Sequence, residues 1–303
     1  MKKIKKNNIN NKKTNNKTGD FMTKDKHVIE ALSSKITIEN GQITDVSKPK
    51  IENCPIFERG HGIEKITTEN IKKNIEFRIK HFGYCSKDRV VTQEDTLVAV
   101  GISEILSTNL RKKTIDVVVG ACDGVGTLLI TKPEIAEGVG GRVSALVSTT
   151  PIPEVIEKVG PENVLFPETA ELNPIAGIKL AIEKGYKNIA ITLLAGPLIK
   201  EIAEMEVLED VNLYLLIAHT TGVSREQAEE CFEYGDIITA CASKHIRQVA
   251  EEKNAPFYGN IVSIYAGTEM GRELLDNRLR EIGKDLSTTN YPQDKNYFPR
   301  PLQ

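Results

Sequence analysis

The sequence predicts an α/β fold with a mostly parallel, Rossmann-like sheet, preceded by an N-terminal β-hairpin and a helical region. Over its last third, short β-branched runs alternate with amphipathic helix patterns, as they do in β-α-β units. Helix-capping residues follow several of these runs. A chain of 303 residues with 40% hydrophobic residues can also bury one large core or two modest ones.

The predicted organisation has four parts. Residues 1–26 form a basic tail, 27–114 the hairpin and helices, 115–286 the Rossmann-like α/β region, and 287–303 an extended tail or disordered end. The first part holds nine lysines against two aspartates and has little apolar surface, which predicts disorder. Contact of this tail with RNA or acidic lipid is the alternative. The remainder is acidic, so no nucleic-acid-binding body is expected.

Hydropathy and cysteine usage indicate a cytoplasmic protein without a membrane span. No apolar run approaches the roughly 18 residues of a transmembrane helix, and no secretory signal follows the basic start. The five cysteines are odd in number and widely spaced, which predicts free thiols or metal ligands rather than disulfides. Cys231 falls within a helix pattern, where we expect it to pack.

The region 27–114 is predicted as scaffold. Asn40-Gly41 separates two alternating runs, which indicates a hairpin with a type I′ turn. Thr67 or Thr68 caps a helix that stops at Gly83, and a second helix from about Val98 carries basic residues at its carboxyl end.

Two cysteines of this region are placed on loops. Cys54 precedes a proline, which disfavours helical geometry, and Cys85 follows the glycine that ends the first helix. The Cys54 thiol is therefore expected to be available rather than packed.

The α/β region begins with a strand at 115–119 and a glycine-rich turn. Its glycines allow a close backbone approach to an anion, so Gly124, Gly126 and Thr127 are predicted to bind ligand. A plain tight turn is the alternative, because the segment matches neither a P-loop nor a dinucleotide fingerprint.

The later elements follow from capping and turn signals. A strand is predicted at 142–150, with Gly140-Gly141 before it as a hinge or lid. Asn173-Pro174 and Ser224 start helices, the latter through a Ser-x-x-Gln capping box. Ile237 to Thr239 form a short strand, and Ser243 caps the helix after it.

Polar side chains collect where the predicted strands end, which is the edge at which α/β sheets bind ligands. Cys241, His219 and Asp123 are the candidate catalytic residues. The Cys241 thiolate is expected to be stabilised by a helix amino terminus and by Lys244, and to serve as nucleophile or metal ligand. Five further residues of this edge are candidate ligand-binding residues: Thr220, Thr221, Ser243, Lys244 and His245. A buried cysteine, a structural histidine and solvated cap residues are the alternatives.

Dispersed cysteines also raise the question of a metal. A fold could bring Cys54, Cys85 and Cys122 together, with an iron–sulfur cluster or another metal as cofactor. The chain has no Cys-x-x-Cys pair that would make this prediction specific.

Several motifs together resemble the methanogenesis marker protein 8 family, a domain of unknown function in methanogenic archaea. The resemblance runs from about His27 to Lys284 and is carried by IENCPIF, IEFRIKHFGYC, GISEILST, VVGACDGVGT, PIPEVIEKVGPENVL, AHTTGVS and DIITACASKHIR. It implies a cytoplasmic role close to methanogenesis, with methanogenesis enzymes or their maturation complex as partners. It implies no demonstrated reaction and no assigned catalytic residues.

The resulting functional hypothesis is an accessory or maturation factor of methanogenesis that uses thiols for metal or sulfur chemistry. A small-molecule enzyme that binds an anionic or phosphorylated substrate at the strand ends is the alternative, and a non-catalytic subunit with a vestigial crevice is the third. The sequence makes no prediction of substrate or oligomeric state.

Overall fold

A computed structural model describes residues 25–55, 57–58, 62–94, 96, 98–140, 145–259, 263–290 and 298–303. The predicted basic tail up to position 24 lies outside these residues, as does Gly141 of the predicted hinge. Lys26, assigned to the tail from the sequence, already belongs to the first strand.

A four-stranded antiparallel sheet is built from β1 (Lys26–Ala31), β2 (Ser34–Glu39), β3 (Gln42–Val46) and β6 (Ala145–Ser148). Its order is β3-β2-β1-β6, so a strand from the middle of the chain completes the N-terminal sheet.

The predicted turn at Asn40-Gly41 is confirmed, since both residues have positive φ angles, of 51° and 71°. A second hairpin at Leu32-Ser33, also with positive φ angles, was not predicted because its turn contains no glycine.

A seven-stranded sheet forms the centre of the molecule, in the order β10-β11-β9-β8-β7-β4-β5. Its strands are β4 (Val117–Cys122), β5 (Gly126–Ile130), β7 (Asn188–Leu194), β8 (Asn212–His219), β9 (Ile237–Thr239), β10 (Phe257–Tyr258) and β11 (Ile264–Ala266).

Nine α-helices lie within the described residues. They are α1 (Thr68–Phe82), α2 (Ile102–Arg111), α3 (Pro133–Gly140), α4 (Pro153–Val159), α5 (Pro174–Glu183), α6 (Leu198–Ala203), α7 (Arg225–Tyr234), α8 (Lys244–Glu252) and α9 (Glu269–Glu281). The predicted side-chain caps at Thr67, Asn173 and Ser243 are confirmed, and Ser224 with Gln227 forms the predicted capping box.

The fold is α/β, but the expected Rossmann-like, mostly parallel sheet is not confirmed. Only β4, β7, β8 and β9 run parallel, and both edges of the large sheet are antiparallel. The β4–β5 edge is antiparallel because the chain reverses directly after β4 and returns beside it as β5. The sequence predicts a loop in this stretch. The β10–β11 edge is antiparallel because the segment between these two strands is too short to contain a crossover helix.

The helices cover both faces of the large sheet. Side chains of α5, α6, α7 and α8 form one hydrophobic core, and those of α2, α3, α4 and α9 form the other. The parallel strands follow one another in sequence order, with α5, α6 and α7 on one face, so this part of the sheet lacks the reversal of strand order that creates a Rossmann crevice.

The four-stranded sheet packs with α1 around a third core, which also contains Ala242 from the loop after β9 and Leu146 from β6. The third core therefore meets the carboxyl end of the parallel strands. No helix within the described ranges is both long and apolar enough to cross a membrane.

The last described segment, residues 298–303, runs along the start of α8. The Gln303 carbonyl accepts a hydrogen bond from Lys244 N, the Gln303 amide donates to the Ala242 carbonyl, and the Phe298 ring lies 4.5 Å from the Arg247 guanidinium carbon. Residues 298–303 are thus held next to the β9–α8 turn.

Candidate functional site

Three side chains from distant parts of the chain meet where β8 and β9 end. Cys241 Sγ lies 3.7 Å from His219 Nδ1, and His219 Nε2 lies 2.6 Å from Glu30 Oε2. Cys241 belongs to the turn from β9 to α8, His219 is the last residue of β8, and Glu30 lies in β1 of the other sheet. A thiol, an imidazole and a carboxylate thus form a continuous chain of polar contacts.

The β9–α8 turn holds Cys241 in an unusual backbone conformation. Its φ is 41°, in the left-handed region that costs a non-glycine residue about 1 to 3 kcal/mol. Ala240 N donates to the Ser263 carbonyl on one side, and Ser243 caps α8 on the other, so both flanks of the turn are fixed. A strained strand-to-helix turn is also how α/β-hydrolases present their nucleophile.

The electrostatics of the site favour a charged pair. Burial alone would raise the pKa of the Cys241 thiol, but the hydrogen bond and charge of His219, the Thr220 backbone and Arg247 lower it. Burial alone would lower the pKa of His219, but hydrogen bonds to Cys241 and Glu30 raise it to about 10. Compared with isolated side chains, the arrangement therefore favours a thiolate beside an imidazolium.

A cavity of about 500 Å³ lies at the ends of the parallel strands; Cys241, His219 and Glu30 do not line it, but Ala218 and Thr239, their near neighbours in the chain, do. It is bounded by the ends of the four parallel strands, including Gly120, Leu193, Ala218 and Thr239, and by Leu146 of β6. Ala218 directly precedes His219, and its carbonyl lies 3.9 Å from Cys241 Sγ. The volume falls within the range of small-molecule sites.

Asp123, the third predicted catalytic residue, lies in a different environment. It is fully buried and pairs with Arg89, whose Nε lies 2.9 Å from Asp123 Oδ1. The amide of Cys85 donates to its other oxygen at 2.7 Å. Both carboxylate oxygens are thus engaged by internal partners, as in a buried structural ion pair.

The glycine-rich turn after β4 is the tip of the β4–β5 hairpin. Gly124 N donates to Thr149 Oγ1, and Thr127 Oγ1 accepts from Asn173 N. A Cβ at Gly126 would lie 2.3 Å from the Ala170 backbone, so its glycine is required by packing and by a φ of 76°. Of the predicted ligand contacts here, Thr127 lines the cavity.

The other predicted ligand-binding residues surround the thiol or lie along α8. Thr220 Oγ1 donates to the Thr239 carbonyl, and Thr221 Oγ1 accepts from Ala242 N, so both stabilise the turn. Lys244 is exposed, and His245 Nδ1 contacts Gln248 Oε1 at 3.1 Å. The structure therefore brings Thr220 and Thr221 to the thiol and leaves the Lys244 side chain in solvent.

The predicted metal site is not supported. Cys54, Cys85 and Cys122 are all buried, and in the described part of the chain no three His, Cys, Asp or Glu residues could hold a metal ion. Burial and the Asp123 charge raise the pKa values of Cys85 and Cys122, which favours their protonated thiols. Contrary to expectation, Cys54 is packed rather than available.

Glu30 was missed by sequence reasoning, which treated its strand as scaffold. The available signal was a carboxylate in the otherwise apolar run His27 to Ala31, where Val28, Ile29 and Ala31 are buried. Its partner is brought close only by the packing of the two sheets.

The comparisons with known proteins find similar proteins in archaea. A family described as an uncharacterized protein conserved in archaea, DUF2099, matches residues 27–280. An uncharacterized protein of Methanocaldococcus jannaschii is 40% identical over 282 residues, covering 92% of this chain and 99% of its own length. No solved structure matches. The name methanogenesis marker protein 8 is not confirmed by these matches.

Proposed function

We propose that this chain, which belongs to the archaeal family DUF2099, is a thiol-dependent enzyme that transfers or hydrolyses an acyl group of a small molecule. The observation that carries the proposal is the Cys241–His219–Glu30 chain of contacts, at 3.7 and 2.6 Å, beside a cavity. Nucleophile, base and orienting carboxylate are the three parts of a nucleophilic catalytic site.

In the proposed reaction the Cys241 thiolate attacks the acyl carbon and a carbon–sulfur bond forms. The bond from that carbon to the leaving group breaks, and the proton on His219 Nδ1 moves to the leaving group. The imidazole, now neutral, takes a proton from water or another acceptor, which attacks the thioester and releases Cys241 as thiolate. Glu30 holds the ring through Nε2 and supports its positive charge.

The backbone around the thiol adds to this role. The Thr220 backbone donates toward Cys241, and Cys241 lies two residues before the cap of α8, where the helix dipole favours negative charge. A thiol that is already ionised in a fixed electrostatic field needs no separate deprotonation step before it reacts.

Alkylation kinetics test the nucleophile. Iodoacetamide is expected to modify Cys241 at least about tenfold faster at pH 7 than an unperturbed thiol, because an ordinary thiol with a pKa near 8.5 is only a few per cent ionised there. His219→Gln should lower this rate about tenfold or more. Peptide mass spectrometry identifies the modified cysteine.

Acyl chemistry is tested by trapping. Incubation with p-nitrophenyl acetate should give a burst of p-nitrophenol and an acyl adduct on Cys241, both absent in Cys241→Ser. Cys231→Ser, a buried cysteine on α7, is the matched control and should retain both. Alkylation without any acyl adduct would overturn acyl transfer, and an unreactive Cys241 would overturn the thiol enzyme itself.

The wider role predicted from the sequence resemblance, an accessory or maturation factor in methanogenesis, is kept as a proposal and is supported by that resemblance alone. Deletion of the gene in a methanogenic host, complemented by wild type or by Cys241→Ser, tests it. A growth defect on methanogenic substrates that only wild type repairs is expected, and normal growth of the deletion strain contradicts it.

A further inference from the structure

The cavity beside Cys241 has an uneven distribution of charge. Among its described lining residues Glu104 is the charged side chain, and none is Lys, Arg or His. The remaining lining is apolar apart from hydroxyl groups such as those of Thr192 and Thr239. An anion in this space would lack a cationic partner from these residues, so the surroundings favour a neutral or positively charged ligand.

Glu104 is accompanied by a second buried carboxylate. Glu104 and Glu137 are 1% and 2% exposed, on α2 and α3, and Glu104 accepts hydrogen bonds from Val98 N and Ser103 Oγ. Glu137 does not itself line the cavity; its side chain is hydrogen-bonded to Ser107, and the charges of Arg278 and Arg111 also act on it. Burial first and the charge of Glu104 second raise the pKa of Glu137 to about 7, which reflects its closeness to Glu104.

The arginines near this pair are already engaged. Arg111 Nε and one terminal nitrogen of Arg278 each lie 3.0 Å from Glu281, and Arg278 also donates to the Ala99 carbonyl. Glu281 thus takes up part of the positive charge that could otherwise compensate Glu137.

An independent feature of the cavity also calls for a ligand. Thr239 is 6% exposed, lines the cavity, and its hydroxyl has no hydrogen-bond partner among the described residues. Thr239 lies two residues before Cys241. A buried hydroxyl without a partner costs free energy, which a hydrogen-bonding ligand in the cavity would recover.

We propose that the cavity takes an acyl compound with an amino group, whose ammonium binds beside Glu104 and Glu137 while its acyl carbon reaches Cys241. This inference rests on the proposed function, since it places the reacting end at the thiol. The carboxylate pair fixes the far end of the substrate, and Thr239 contacts the ligand between the two ends. The anionic or phosphorylated substrate considered from the sequence does not suit this lining.

Tailed electrophiles provide the test. Chloroacetamides of diaminoalkanes, of matching alkylamines and of matching amino acids end in an ammonium, a methyl and a carboxylate group. Over a series of chain lengths, the ammonium probe of best length should label Cys241 about tenfold faster than its methyl counterpart, because a charge-assisted hydrogen bond contributes about that factor. The carboxylate probe should be slowest.

Variants locate the effect. Glu104→Gln and Glu137→Gln should each bring the ammonium-to-methyl ratio toward one while leaving the rate with iodoacetamide, which is too short to reach the pair, unchanged. Glu183→Gln, an exposed carboxylate at the end of α5 on the other face of the sheet, is the matched control and should keep the wild-type ratio. Equal rates for ammonium and methyl probes at every length would overturn the inference.

A second measurement separates this inference from the proposed enzyme. Binding of the unreactive diaminoalkane to Cys241→Ala, measured by calorimetry, depends on the carboxylate pair and not on the thiol. Binding that is lost in Glu137→Gln supports the amine site even when Cys241 proves unreactive. Absent binding together with a reactive Cys241 overturns the amine site and leaves the thiol enzyme standing.

Discussion

Cys122 and Cys241 both lie at the end of a parallel strand, or within two residues of it, and are followed by a turn, yet their chemistry differs. Cys122 is fully buried beside the Asp123–Arg89 ion pair, and burial together with the Asp123 charge raises the pKa of its thiol. Cys241 is half-buried beside His219, and the pKa of its thiol is lowered. The position of a cysteine at a strand end therefore does not decide its role.

The charged side chain that the fold places next to each cysteine decides whether the pKa of its thiol is raised or lowered. A carboxylate next to Cys122 opposes a second negative charge, whereas an imidazolium next to Cys241 favours one. Backbone strain does not distinguish reactive from packed cysteines, because the buried Cys85 also has a positive φ, of 54°. One strand end therefore carries a buried ion pair and the other a thiol–imidazole contact.

Breaking the buried ion pair should have the largest effect. Arg89→Met leaves the Asp123 carboxylate buried without its cation, which is expected to lower the free energy of unfolding by about 3 to 5 kcal/mol. Arg225→Met removes a surface ion pair with Glu252 and should lower the free energy of unfolding far less, because water screens exposed charges. Denaturant unfolding measures both, and a similar loss in the two variants would contradict a structural role for Asp123.

Replacing Cys122 and Cys241 by alanine should have different effects on stability and on labelling. Cys122→Ala opens space in a packed core and is expected to lower the free energy of unfolding by about 1 to 2 kcal/mol. Cys241→Ala should change it by about 0.5 kcal/mol or less while abolishing labelling by iodoacetamide. The reverse order of stabilities, measured in the same denaturant series, would contradict the division of roles.

The smallest effect is expected at Glu30. In Glu30→Gln the imidazolium loses its carboxylate, so the pKa of His219 should fall and that of Cys241 should rise. The pH window in which thiolate and imidazolium coexist then narrows from both sides, and the alkylation rate at pH 7 should drop about three- to fivefold. Rates measured from pH 5 to 10 test this, with Glu39→Gln on the neighbouring strand β2 as control. An unchanged profile would remove Glu30 from the site.

Local signals predicted much of the secondary structure. The turn at Asn40-Gly41, the cap at Thr67 and the capping box at Ser224 are all present, because each is a short-range hydrogen-bond or φ requirement. Strand direction was not predictable in the same way. Whether β5 returns beside β4 or a helix follows depends on long-range pairing that residue patterns near Gly124 do not encode.

The candidate site was predicted in part. The two residues on adjacent parallel strand ends, His219 and Cys241, were identified, since sequence order places such ends side by side. Glu30 and the Glu104–Glu137 pair were not, because they reach the site through packing between sheets and helices. Asp123 also follows a strand and precedes a glycine, but its buried partner Arg89 is 34 residues away and could not be identified from the local sequence.

The contact between β1 and the end of β8 also has a kinetic consequence. Glu30 and His219 are far apart in sequence, and residues 298–303 pack beside the same turn, so the reactive thiol requires contacts that span nearly the whole chain. Contacts of such long sequence separation form late in folding, since loop-closure entropy opposes them. An incompletely folded or newly synthesised chain would therefore carry Cys241 as an ordinary, protonated thiol, protected from premature reaction until the native assembly is complete.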